Sequence, residues 1–108
     1  MQHLINKLER NWNSEKVEAL ALNAIAHVEH PTFPLSWYLL AKQPDGLCTA
    51  ILFHKTFPFH LDIIHIDLDD IENEFISSGN TFCIDRSFKE QNALRLWNKL
   101  KRKGSIDE

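Results

Sequence analysis

The sequence predicts an α+β domain: a small antiparallel sheet of about four strands with helices packed on one face, in the order α-α-β-β-β-α-β-α. Three observations carry this. Apolar residues recur at helical spacing near both ends of the chain and at strand-like alternation in the middle. A Gln43-Pro44-Asp45-Gly46 turn separates two apolar runs of strand length. With 108 residues and 44% hydrophobic residues, the chain is long enough to bury one core without metal or disulfide staples. Residues 1–104 read as one domain and residues 105–108 as a frayed tail.

Leu4, Ile5, Leu8 and Trp12 share one helical face, so the chain opens with a helix over residues 2–12. Ser14 caps a second helix, or a bent continuation of the first, running to about Glu29. Its apolar stripe would be Val17, Leu20, Ala21, Ala24, Ile25 and Val28. Pro31 stops it. Residues 35–42 and 47–55 then read as the two strands of a hairpin. Pro44 presets φ in its turn, Asp45 caps it and Gly46 supplies the permissive backbone.

After the Pro58 corner, Ile64, Ile66 and Leu68 alternate with His65 and Asp67, marking a half-buried strand. Leu61 and Ile63 fall on the polar phase, which calls for cover on both faces or for a bulge. A short helix begins at Asp69 and Asp70, turns Ile71, Phe75 and Ile76 inward and ends at Gly79. Residues 81–85 read as a short strand. Ser87 and Glu90 have the spacing of a capping box for the last helix, whose buried stripe is Ala93, Leu96, Trp97 and Leu100. The three tryptophans, Trp12, Trp37 and Trp97, are placed for the helix–sheet seam.

No charged start followed by an apolar run marks a signal peptide, and no apolar stretch approaches the roughly 20 residues of a membrane span. The expectation is a cytoplasmic, membrane-free protein. Cys48 and Cys83 each lie inside an apolar run and read as buried thiols, without the Cys-x-x-Cys spacing of a redox or metal site. No phosphate loop, dinucleotide fingerprint, zinc-protease motif or nucleophile elbow is present, and three glycines leave no backbone cradle for a phosphate. No cofactor and no bound metal are expected.

What stands out is charge. Between residues 62 and 74 there are six acids, Asp62, Asp67, Asp69, Asp70, Glu72 and Glu74, and no Lys or Arg. Between residues 86 and 103 there are seven bases, Arg86, Lys89, Arg95, Lys99, Lys101, Arg102 and Lys103, against Glu90. A net charge of −3 thus conceals a dipolar molecule. The helix dipole accounts for Asp69, Asp70 and Glu72. A surface that receives a basic macromolecule accounts for Asp62, Asp67 and Glu74 as well.

The six acids are therefore the candidate partner-binding residues of a protein-binding module, monomeric when alone, that covers a basic protein such as a toxic nuclease. In size and charge the chain resembles the small acidic immunity proteins of bacteria, although no shared residue motif supports the likeness. Two alternatives come from other classes. His60, Asp62, His65 and Asp67 would serve a small metal-dependent or acid–base hydrolase if they converged. Lys99, Lys101, Arg102 and Lys103 would serve a nucleic-acid surface, against which stand a pI near 6.0 and the burial expected of Trp97.

Overall fold

A computed structural model of the chain describes residues 2–12, 21–30, 34–55, 60–77, 79 and 84–106. The elements are α1 (Gln2–Asn11), β1 (Asn23–Ala24), β2 (Ala26–Glu29), β3 (Leu35–Lys42), β4 (Cys48–His54), β5 (His60–Ile66), α2 (Leu68–Ser77), β6 (Gln91–Asn92) and α3 (Ala93–Ile106). Strands β2 to β5 form one antiparallel sheet in the order β2-β3-β4-β5, while β1 and β6 pair as a separate two-residue ribbon. The α+β class and a four-stranded antiparallel sheet are what the sequence predicts; β3, β4 and β5 are predicted strands, and the fourth position is taken by β2.

The β3–β4 hairpin follows its turn chemistry. The Gly46 N–H donates to the Gln43 carbonyl at 2.9 Å and the Gln43 N–H to the Leu47 carbonyl at 2.8 Å. Asp45 Oδ1 accepts the Leu47 N–H at 3.0 Å, and Gly46 sits at φ +96°. The register shifts once, between Leu39 and Ala41. The extra residue sends Leu40 and Ala41 into the same core cluster, where strict alternation would have split them. The bulge is tied down from outside: Asn11 Nδ2 donates to the Leu40 carbonyl at 2.6 Å and to the Asn23 carbonyl at 2.9 Å.

Alternation along β3 and β4 builds two cores. On one face Trp37, Leu39, Cys48 and Ala50 meet Leu4 and Leu8 of α1 and Leu68, Ile71 and Phe75 of α2. On the other, Leu40, Ala41, Ile51 and Phe53 meet Ala93, Leu96 and Leu100 of α3, with Trp12, Tyr38, Phe88 and Trp97 at the margin. The helices are therefore divided between the two faces rather than gathered on one. The physical reason lies in β4, whose side chains are buried on both phases from Cys48 to Ile51, so each face needs a cover. Each fully buried Leu, Ile or Phe contributes about 1.5–3 kcal/mol over leaving it in water.

The second helix expected to reach Glu29 is replaced over nearly its last half by β1 and β2; residues 13–20 lie outside the described residues. Leu22 and Ala24 are buried in the α3 core and Ala26 and Val28 in the opposite core, while His27 is also buried and Asn23 and Glu29 are exposed. The alanines satisfy a helical stripe equally well, and pairing with β3 decides for the strand. In β5 the register runs unbroken, so Ile64 and Ile66 pack on one core and Leu61 on the other. Both faces are covered, and the bulge belongs to β3.

The last helix also starts later than its capping box predicts. Asn92 is its cap, with Oδ1 accepting the Arg95 N–H at 3.0 Å, and the helix continues past Gly104 to Ile106. Of the predicted strand at residues 81–85, positions 81–83, with Cys83, lie outside the described residues. Ile84 makes one antiparallel bridge to Val28, and the Asp85 N–H donates to the His27 carbonyl at 2.9 Å. Among the described residues no helix is long and apolar enough to cross a membrane.

Candidate functional site

The acidic residues take four different positions. Asp67 is the N-cap of α2: its Oδ1 accepts the Asp69 N–H at 3.0 Å and its carbonyl accepts the Asp70 N–H at 3.0 Å. Asp69 and Asp70 occupy the first turn, exposed, where the helix dipole favours them. Glu72 and Glu74 follow on either flank of the buried stripe of Leu68, Ile71 and Phe75, Glu72 half-buried and Glu74 exposed. Asp62 stands apart on the edge strand β5. There its Oδ1 accepts the Ile63 N–H at 2.8 Å and its Oδ2 lies 3.7 Å from His60 Nε2. Five of the six predicted acids thus belong to one helix and its cap, and the sixth guards a sheet edge.

Helix α2 carries no Lys or Arg, and among its acids Ile76 is 60% exposed. Sequence periodicity turns Ile76 inward; the helix rotates it out, beside Asp69 and Glu72, because Leu68, Ile71 and Phe75 fill the buried stripe. Phe75 is the anchor, with its ring 5.1 Å from that of His30 and 6.2 Å from that of Trp37.

The basic helix lies across the sheet. The exposed face of α3 turns Arg95, Asn98, Lys101 and Arg102 away from the core, together with Leu94, which is 49% exposed. With Asn92 these side chains line an open groove of about 710 Å³. Because α2 packs on one face of the sheet and α3 on the other, the two blocks of charge read in the sequence become two opposite surfaces.

The four side chains of the hydrolase reading do not meet. His60 and Asp62 lie on β5 as an exposed pair. His65 takes the opposite strand phase, with Nδ1 at 3.1 Å from Thr49 Oγ1 and 3.3 Å from Gln43 Nε2, and Asp67 is committed to its cap. Among the described residues no group of three or more His, Cys, Asp or Glu side chains is placed to hold a metal ion.

One polar cluster escaped the sequence reading. His27 Nδ1 donates to Asp85 Oδ2 at 2.8 Å, while Asp85 Oδ1 accepts both the Ser87 hydroxyl at 2.6 Å and the Ser87 N–H at 2.9 Å. The Ser87 hydroxyl, then His27, then the Ser87 N–H hold the Asp85 carboxyl down at about 2. The Tyr38 ring stacks on His27 at 4.4 Å and 11°, and Phe88 closes at 6.0 Å. Burial, with the Asp85 charge beside it, pushes the Tyr38 hydroxyl above its ordinary range.

These are the residue types of a nucleophilic triad in a different arrangement. The serine bonds to the carboxylate instead of the imidazole, and His27 Nε2 is enclosed by protein. The cluster is a structural pin that fixes the 84–88 segment to β2. No local motif announces it.

Comparison with protein-family models, with curated proteins and with solved structures yields no match.

Proposed function

We propose that the chain is a protein-binding module whose α2 face receives a basic partner. One observation carries the reading: Asp69 and Glu72 flank an exposed Ile76 on a helix without cations, and the protein's own basic helix lies across the sheet. An apolar anchor inside a charged rim is the anatomy of a protein interface. The acids would steer a cationic partner into contact and Ile76 would be covered on docking. Asp62 lies outside this face and Asp67 belongs to it mainly through its cap. A basic enzyme blocked by such a face, a nuclease toxin for example, fits the size and charge of the chain.

The test is affinity capture from the source cell with the wild-type chain, with Asp69→Lys/Glu72→Lys and with Ile76→Asp. The expected result is a basic protein held by the wild type and lost from both variants, with an association rate that falls as salt rises. Equal retention by all three chains would refute the proposal.

A further inference from the structure

We infer that the basic groove on α3 takes the acidic face of α2 from a second copy of this chain, so that free molecules associate head to tail. Among the described residues the large exposed aliphatics are Leu47, Ile76 and Leu94. Two of these three lie on the two charged helices, Ile76 on α2 and Leu94 on α3. Leu94 lies in the groove with Arg95, Lys101 and Arg102, and Ile76 lies beside Asp69 and Glu72 on α2. Each face thus pairs one exposed aliphatic with charges of a single sign, and the signs are opposite.

The sheet separates the two faces, so they cannot meet within one molecule. A second copy supplies the complement of either. A nucleic acid fits the groove less well, because its described lining has no aromatic ring on which a base could stack.

The contact is heterologous. Each pairing leaves one acidic and one basic face open, so growth continues unless a ring closes. Two helix faces make a small, charge-dominated interface at the weak end of the range, sensitive to ionic strength. The inference rests on the reading of α2 as a docking face and adds its resting occupant, which a basic partner would have to displace.

Sedimentation velocity on the full chain tests it, from about 10 μM to about 1 mM protein and at about 20 and 500 mM NaCl, a range over which surface charge goes from weakly to strongly screened. Wild-type sedimentation should rise with concentration at low salt and stay monomeric at high salt. Asp69→Lys/Glu72→Lys and Arg95→Glu/Arg102→Glu should each remain monomeric alone. An equimolar mixture of the two should associate, because each variant retains the face the other has lost. That rescue also shows that both variants are folded.

The inference is overturned if the wild type is monomeric throughout, if the Arg95→Glu/Arg102→Glu variant associates as the wild type does, or if the mixture stays apart. It is overturned too if the protein enlarges only on adding a single-stranded oligonucleotide and does so through Arg95 and Arg102. The Arg95→Glu/Arg102→Glu variant keeps its acidic face, so capture of a basic partner by it separates failure of this inference from failure of the proposed function.

Discussion

His27 and Asp85 are 58 residues apart in sequence and 2.8 Å apart in the fold. With the bond from the Asp85 N–H to the His27 carbonyl, the contact fastens the 84–88 segment along β2. A carboxyl held at about 2 in the folded state, against an ordinary value near 4, contributes stability that is complete above the unfolded value and is lost as pH falls through the folded one. Asp85→Asn should lower stability at neutral pH by about 1–3 kcal/mol, the range for a hydrogen bond to a charged group. It should also flatten the loss of stability between about pH 4 and pH 2. Urea unfolding followed by tryptophan fluorescence across that window checks both; curves that stay parallel would assign the depressed carboxyl to another group.

Gly46 carries φ +96°, and a Cβ built there meets nothing within 4 Å. The cost of Gly46→Ala is therefore backbone strain alone, about 1–2 kcal/mol. A shift of the urea midpoint at constant slope is the expected result.

Asn92, not Ser87, starts the last helix. Asn92→Ala should cost about 1 kcal/mol and reduce helical circular dichroism. Ser87→Ala should leave the helix intact and raise the Asp85 carboxyl instead, which an NMR titration of Asp85 would read directly.

Cys48 is fully buried, and burial pushes its thiol up to about 12. The thiolate is the reactive form, so iodoacetamide at about pH 8 should leave the Cys48 peptide unmodified in the folded protein and label it only as the chain opens. Rapid modification under native conditions, read by mass spectrometry, would contradict this packing.

The sequence made the β3–β4 hairpin legible because its turn is encoded locally: Pro44, Asp45 and Gly46 each do one geometric job. Helix α2 was legible for the same reason, since Asp67 to Asp70 mark its start and Gly79, at φ +79°, follows its end. Residues 21–29 were not. Ala24 and Ala26 suit either period, and a neighbour distant in sequence, Leu39, settles which one applies. The acids of the candidate site were readable as residues, but their arrangement was not. That Ile76 stands among them, that Asp62 does not, and that α3 turns its cations to the far side of the sheet all follow from tertiary packing. The His27–Asp85–Ser87 pin joins two segments whose local patterns point elsewhere, so nothing near either one signals the other.

The single unpaired position at Leu40 sets the frame for the whole tip of the hairpin. Everything from Ala41 to the turn is one step out of phase with the rest of β3. Loss of the Leu40 codon would restore plain alternation, because Ala41 would still face Thr49 and Lys42 would still face Cys48; only the second large side chain that the extra residue adds to the α3 core would go. Loss of two codons would instead set Lys42 opposite Thr49 and carry its ammonium group to the other side of the sheet. The tip of this hairpin therefore tolerates the odd change of length and resists the even one.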